Sequence, residues 1–156
     1  MGCRKRANEA GQTRTQAATL SLAQKAPAVE AAMLNDVAAA IGANFDRRRF
    51  IPFVVMHEFE ALLFSDCAAF ARGVGRPTLA RSFQAIRDQF DNPEAINDSP
   101  ITAPSKRVEQ LIPGYQKPLF GNVAALEIGL NKIRDACPHF GSWLQKLEAV
   151  PTEWQE

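Results

Sequence analysis

The stretch Phe50-Ile-Pro-Phe-Val-Val-Met-His-Glu-Phe-Glu-Ala-Leu-Leu-Phe-Ser-Asp66 contains the sharpest change of pattern in this 156-residue chain. Residues 50–56 form a near-continuous apolar run, which predicts a strand that is covered on both faces. His57, Glu58 and Glu60 follow at once, and the pattern then changes to helical spacing. Polar groups at the end of a buried strand often form the mouth of a crevice in α/β folds, so this junction is the first candidate site.

Helical spacing dominates the rest of the sequence. Ser105 and Asn122 are placed as N-caps for two of the predicted helices. One buried strand leaves its backbone N–H and C=O groups without ladder partners, so either a partner strand is cryptic or the chain lacks part of its sheet. The predicted fold is therefore an α/β fragment, mostly helical, with one clear strand and five or six helices. The helical segments are 28–41, 58–71 with a break at Ser65-Asp66, 78–90, 106–112, 123–137 and 139–150.

The composition is that of one ordinary globular domain. The hydrophobic share is 46% and the net charge is +1, which gives no global reason to bind nucleic acid or an anionic membrane. Residues 1–26 hold five basic residues against one acidic residue and no aromatic residue, which predicts a basic, poorly ordered arm. Such an arm can touch a nucleic-acid backbone nonspecifically. A single domain is expected at 27–150, with a tail at 151–156.

The three cysteines lie far apart and form no CxxC pair, so they indicate neither a disulfide framework nor a zinc site. Their odd number suits a reducing cytoplasm. The sequence contains no apolar run of about 18 residues and no secretory signal, so we expect no membrane partner. His139 lies close to Cys137, but a lone histidine at a helix junction is more often structural than part of a catalytic Cys–His pair.

The segment His57-Glu-Phe-Glu60 allows two interpretations. If the strand continues to Glu60, then Glu58 and Glu60 share one face and can hold a hard divalent cation such as Mg²⁺. If a helix begins at His57, the two acids lie in its first turn and only complement the helix dipole. The segment is not the zinc-protease motif, because Ala61 stands where that motif has its second histidine.

A second candidate site lies in Asp98-Ser-Pro-Ile-Thr-Ala-Pro-Ser-Lys-Arg107. This proline-bracketed loop leads into a predicted helix start that carries Ser105, Lys106 and Arg107. Free N–H groups at a helix start attract phosphate, and a basic side chain there reinforces the attraction. The alternative is a plain Ser105 cap with solvated basic residues. If the two segments form one site, at least one carboxylate of Glu58 and Glu60 should point toward this helix start.

Six motifs occur in this chain in the same order as in a bacterial family, which the chain resembles over about residues 28–149. It is the domain-of-unknown-function family 4276. The resemblance implies a Toprim-like domain, the metal-dependent core of topoisomerases, primases and some nucleases. Genes of this family often lie beside genes for AAA or ABC ATPases, so the resemblance also implies a role in phage defence or DNA processing. The motifs are Phe50 to Asp66, Ile96-Asn-Asp-Ser-Pro100, Thr102-Ala-Pro-Ser-Lys-Arg107, Pro113-Gly-Tyr115, Ile128-Gly-Leu130 and Cys137-Pro-His-Phe140.

The chain departs from this family at its start. Members begin with a strand that carries Val-Glu-Gly and continue with Thr-Glu-Glu and an Asp-rich strand, and these motifs are not found here. The resemblance thus implies the carboxy-terminal part of a Toprim-like domain, without its amino-terminal strands and without independent nuclease activity.

Two functions follow as expectations. In the first, the chain is an incomplete metal-dependent nuclease with Mg²⁺ or Mn²⁺ as cofactor, and its oligomeric state is open. In the second, the carboxy-terminal helices are an interaction module that docks on a partner ATPase, and the carboxylates only start a helix. The site residues of the first are Glu58, Glu60 and Lys106 for catalysis, Glu58 and Glu60 for the metal, Ser105 and Arg107 for phosphate, and His57 and His139 nearby.

Overall fold

A computed structural model describes residue 20 and residues 22–55, 57–96 and 103–151 of the chain. The chain divides into two compact units. Unit 1 comprises residues 1–56 and 146–156, and unit 2 comprises residues 57–145. Most of the predicted basic arm and the predicted tail lie outside the described residues, so the predicted domain boundaries stay a prediction.

Unit 1 begins with helix α1 (Leu22–Ile41), which starts six residues before the predicted position. The helix ends at Gly42, whose φ of 92° lies in the left-handed region that glycine adopts without steric cost. A 3₁₀ turn follows at Arg47–Arg49, and the carboxylate of Asp46 caps it by accepting the N–H of Arg48 at 3.1 Å.

The apolar run predicted as a buried strand is not assigned as a strand in residues 50–55. Phe50 has extended backbone angles of φ −128° and ψ 108°, yet no strand is assigned anywhere in the described part of the chain. The predicted α/β fold and its Toprim-like core are therefore wrong for these residues. An apolar run favours extended backbone, but a strand also needs a ladder partner. The N–H of Val54 donates to the side chain of Glu30 instead, at 2.9 Å, and Val55 is 42% exposed.

Unit 2 is built from short helices. The predicted break at Ser65-Asp66 is confirmed, because Asp66 caps a new helix by accepting the N–H of Ala69 at 2.9 Å. The helices of the unit are α2 (Glu60–Leu63), α3 (Cys67–Gly73), α4 (Ala80–Arg87), α5 (Pro104–Leu111), α6 (Lys117–Ile128), α7 (Leu130–Ala136) and α8 (Pro138–Glu148), with 3₁₀ turns at Pro77–Leu79 and Pro93–Ala95. The last three residues of α8 fall in unit 1.

The core of unit 2 is aromatic. Phe70 and Phe83 stack with ring centroids 4.3 Å apart, and Phe64 meets both of them edge-on. Beside this cluster α3 packs closely on α6, because a Cβ at Gly73 would lie 2.6 Å from the Cα of Ala124. This packing fixes the position of α6, whose first residue belongs to the candidate site.

Two predicted caps are wrong. The N-cap of α5 is Ala103, which has no side chain able to cap, and Ser105 is the second residue of the helix. The helix predicted to start after Asn122 begins at Lys117 instead and stops at Gly129, where φ is 81°. The side chain of Glu58 caps the start of α5 instead.

Candidate functional site

Glu58 joins two segments that are distant in sequence. Its Oε2 atom accepts the backbone N–H of Ser105 at 2.8 Å, in the first turn of α5. The first N–H groups of a helix have no partner within the helix, and Ala103 cannot supply one. The Glu58 carboxylate therefore caps α5 from 47 residues away. The expected approach of a carboxylate to this helix start is present, and it occurs at the backbone of Ser105.

Lys117, the first residue of α6, connects the two carboxylates. Its Nζ atom lies 3.1 Å from Oε1 of Glu58 and 3.9 Å from Oε2 of Glu60. The side chain of Glu60 is 4% exposed, whereas that of Glu58 is 30% exposed. One ammonium group thus faces one buried and one half-exposed carboxylate. We call Glu58, Glu60, Lys117 and the start of α5 the carboxylate cluster.

The two carboxylates have pKa values displaced in opposite directions. Burial tends to raise the pKa of Glu58, but hydrogen bonds from the backbone and hydroxyl of Ser105 and from Lys117 outweigh burial and lower that pKa. Burial raises the pKa of Glu60, and the charges of Glu58 and Glu109 add to this effect. Neighbouring carboxylates with diverging pKa values are the usual basis for separate acid and base roles.

A buried hydroxyl lies on the inner side of this cluster. The side-chain oxygen of Tyr115 is buried and has no hydrogen-bond partner among the described residues. Burial raises the pKa of Tyr115, and the charge of Glu60 raises it further. A Cβ at Gly121 would lie 3.5 Å from this oxygen and 3.4 Å from the ring of Phe59. A buried donor without a partner costs about 1–3 kcal/mol, so the Tyr115 hydroxyl is an unsatisfied polar group within reach of the Glu60 charge.

The predicted basic residues of α5 have other near partners. The Nζ atom of Lys106 pairs with Glu109 at 2.7 Å, and the guanidinium of Arg107 lies 5.3 Å from the ring centre of Phe90. The pKa of Lys106 is raised mainly by its hydrogen bond to Glu109, and the charge of Glu58 adds to this. Their predicted roles in catalysis and phosphate binding stay predictions.

The two predicted histidines lie on different segments of unit 2. His57 is half-buried directly before Glu58. His139 lies in the first turn of α8, where its N–H and that of Phe140 donate to Glu94, each at 2.9 Å. Glu94 therefore caps α8 from a distance, as Glu58 caps α5.

The sequence interpretation missed Lys117, Tyr115 and Glu94. A signal for Lys117 was present, because a lysine that opens a helix opposes the helix dipole unless a carboxylate pairs with it. That signal was applied to Lys106, since the start of α6 had been placed six residues too late. Tyr115 was visible only as part of the Pro113-Gly-Tyr115 motif.

The cluster brings two carboxylates to one positive charge, that of Lys117. The described residues include no group of three or more His, Cys, Asp or Glu side chains arranged to hold a metal ion. Oxygen atoms of Glu58 and Glu60 nevertheless face the same positive centre, and carboxylate oxygen is the ligand type that Mg²⁺ and Mn²⁺ prefer. A divalent cation would take the position of the Lys117 ammonium.

Comparisons with known proteins give one positive result. No curated protein and no solved structure matches the chain. Within the described ranges, no helix is long and apolar enough to cross a membrane. The family described as "Domain of unknown function (DUF4276)" matches residues 10–148. Since this match covers most of the 156 residues, the chain belongs to that family.

Proposed function

We propose that the carboxylate cluster binds a divalent cation, Mg²⁺ or Mn²⁺, and takes part in the cleavage of phosphate esters. The observation that carries the proposal is the convergence of Glu58 and Glu60 on the single ammonium of Lys117, at 3.1 and 3.9 Å. A lysine that neutralises two carboxylates occupies the place that a cation would take. Nucleic acid is the phosphate ester that we propose as the substrate.

The residues of the cluster divide the work by their pKa values. Glu58, whose pKa is lowered, stays ionised and keeps its bond to the start of α5 while it holds the cation. Glu60, whose pKa is raised by burial, holds a proton more readily than Glu58 does in the absence of the cation, and binding of the cation would release that proton. A bound cation would stabilise negative charge on the phosphate and the leaving oxygen. Displaced from the carboxylates, Lys117 is free to pair with a phosphate oxygen.

The cluster supplies only part of a complete metal site. Mg²⁺ requires six oxygen ligands in a near-ideal octahedron, and two carboxylates fall short of that number. The remaining ligands must come from the substrate, from water or from a second polypeptide. We therefore propose that the chain alone binds the cation weakly and does not cleave nucleic acid.

Calorimetric titration with MnCl₂ at pH 7 tests the cation site. Glu60→Gln should weaken binding roughly tenfold, as the loss of one ligating group does. Lys117→Met should tighten binding, because the competing ammonium is gone. Glu94→Gln is the matched control, since this carboxylate also caps a helix but has no described lysine partner and should leave the affinity unchanged. Equal Mn²⁺ affinity in the wild type and Glu60→Gln would overturn the proposal.

An assay of plasmid DNA with Mg²⁺ or Mn²⁺ tests the lack of independent activity. We expect intact plasmid with the chain alone. Cleavage that Glu58→Gln abolishes would contradict this lack of activity while supporting the site itself.

A second candidate function, an interaction module, rests on the outer face of α6. Leu119, Val123 and Leu126 are 56%, 45% and 84% exposed, and their spacing places them on one side of the helix. The charge of Glu127 beside them is paired with Arg72 at 2.8 Å, so the face is close to neutral. Such a face fits an uncharged apolar partner surface. The family resemblance suggests an AAA or ABC ATPase as that partner.

Capture of the purified ATPase by the immobilised chain separates the two candidates. If α6 is the docking face, Leu126→Glu should abolish capture, and Glu58→Gln and Glu60→Gln should leave it intact. The last helix was the contact surface expected from the sequence, and in it Trp143 already packs on Phe140 with ring centroids 5.9 Å apart. Loss of capture in Trp143→Ala with full capture in Leu126→Glu would move the docking face to α8.

A further inference from the structure

We propose that unit 1 contains a binding pocket for a small organic phosphate monoester with a flat apolar group. The pocket has a volume of ≈ 420 Å³ and is lined by α1, the 3₁₀ turn, the extended segment and Lys146. This volume lies within the range of about 300–1,000 Å³ that is usual for small-molecule sites. The pocket belongs to unit 1 alone and is independent of the carboxylate cluster.

The charge of the lining favours an anionic ligand. Arg47, Arg48 and Lys146 contribute three positive charges, and Glu30 contributes the one negative charge of the lining. The Glu30 carboxylate is buried and accepts the N–H of Val54, so it serves to hold the extended segment. Asp46 pairs with Arg48 and adds a second negative charge beside the lining, so three positive and two negative charges leave a balance of one positive charge. This balance favours an anion such as a phosphate monoester, which carries about −1.5 to −2 near neutral pH.

The two arginines are held in position by neighbouring side chains. Arg47 donates to the Oδ1 atom of Asn35, and Arg48 makes two bonds of 2.8 and 3.0 Å to the carboxylate of Asp46. A guanidinium has five N–H donors, and the contact with Asn35 uses one Nη2 donor of Arg47, so Arg47 keeps donors for a ligand. Groups held in this way lose less conformational entropy when they bind an anion. Arginine forks also match phosphate geometry better than lysine does.

The rest of the lining is apolar. Leu34 of α1 lines the pocket together with Phe50 and Pro52, which belong to the apolar run of residues 50–55. A planar aromatic group could pack on these apolar side chains while its phosphate meets the basic ones. A ligand with both an anionic part and a flat apolar part would use both kinds of lining. A nucleoside monophosphate has both required parts.

Calorimetry on the full chain with three probes tests this chemistry. Adenosine 5′-monophosphate should bind, and adenosine and inorganic phosphate should each bind roughly tenfold more weakly, because each lacks one of the two contacts. Equal affinity for the monophosphate and inorganic phosphate would overturn the apolar part of the proposal. No binding of the monophosphate at millimolar concentration would overturn all of it.

Variants then locate the site. Arg47→Gln and Lys146→Gln should each weaken binding of the monophosphate about tenfold, as the loss of one charge-assisted bond does. Arg49→Gln is the matched control, because Arg49 belongs to the same 3₁₀ turn but does not line the pocket. Ala31→Phe fills the pocket from the exposed side of α1 and should abolish binding without removing a charge. Equal losses in Arg47→Gln and Arg49→Gln would show attraction by overall charge and would overturn the site.

Discussion

Two helices of unit 2 are capped by glutamates that lie far away in sequence, and the two caps differ in what surrounds them. At α8, both carboxylate oxygens of Glu94 accept backbone N–H groups, each at 2.9 Å. At α5, Glu58 gives one oxygen to the backbone of Ser105 and the other to Lys117. Both helices begin with proline, so their first positions need no N–H partner.

The two caps show which contacts of Glu58 are needed to cap a helix and which are not. Glu94 shows that a distant carboxylate can cap a helix with no further charged groups in the contacts described. The cap of α5 therefore does not explain why Lys117 and the buried Glu60 lie beside Glu58. A buried carboxylate with a raised pKa costs stability, and such groups concentrate at functional sites. The proposed cation site is therefore supported by Lys117 and Glu60, which the cap of α5 does not require, and not by the cap itself.

The largest expected effect concerns the purely structural cap. Glu94→Ala removes the acceptor of two N–H groups at the start of α8 and should lower the free energy of unfolding by about 2–3 kcal/mol. Glu58→Ala removes one such acceptor and should cost about half as much, because Lys117 can return to solvent. Urea denaturation measures both. If Glu58→Ala lowered the free energy of unfolding more than Glu94→Ala, the contacts with Lys117 would contribute more than the second backbone hydrogen bond of Glu94. The interpretation of the two caps would then be wrong.

The next effect depends on pH and distinguishes the two carboxylates of the cluster. Glu60 has a raised pKa in the folded chain, so its stability contribution is present at acid pH and is lost as pH rises through that pKa. Glu58 has a lowered pKa, so its contribution is present above the unfolded pKa and is lost as pH falls through the folded one. As pH rises from 4 to 7, Glu60→Gln should therefore gain stability relative to the wild type. Glu58→Gln should lose stability relative to the wild type chiefly as pH rises from 3 to 5, because the lowered pKa places the change below the unfolded value, so a urea titration at pH 3 is included.

Urea titrations at pH 3, 4, 5.5 and 7 give these differences directly. Glu94→Gln provides the baseline for a capping glutamate outside the cluster. Parallel pH curves for Glu58→Gln and Glu60→Gln would contradict opposite displacement of the two pKa values.

Most of the helices could be predicted from the sequence, but the caps from Glu58 and Glu94 could not. Periodic apolar spacing and a local Asp66 cap are short-range features, so the break between α2 and α3 was predictable. Glu58 and Glu94 lie 47 and 45 residues before the N–H groups that they cap. No local pattern in the sequence indicates contacts between residues so far apart. The predicted strand failed for the same reason. An apolar run reports extended backbone, but its ladder partner is a long-range property, and Glu30 takes one of its N–H groups instead.

The candidate site was predicted in part. Glu58, Glu60 and Ser105 were named from their residue types and do come together, because acids after an apolar run and a serine at a helix start are local signals. Lys117 was missed because its role depends on a fold contact with Glu58 across 59 residues. Placing the start of α6 correctly would have exposed it, since Lys117 then opens a helix against the dipole.

The smallest expected effect is the coupling energy between Glu58 and Lys117. The two side chains are 30% and 45% exposed, and ion pairs of this kind contribute about 0.2–1 kcal/mol. A double-mutant cycle with Glu58→Gln and Lys117→Met should give a coupling in this range at 0.1 M NaCl, and it should shrink at 1 M NaCl because salt screens exposed pairs. The same cycle with Glu94→Gln and Lys117→Met should give no coupling, since Glu94 bonds only to the backbone of α8 in the contacts described. A coupling of equal size in both cycles would show that Lys117 acts through the general stability of unit 2, and the distinction between the two caps would then fail.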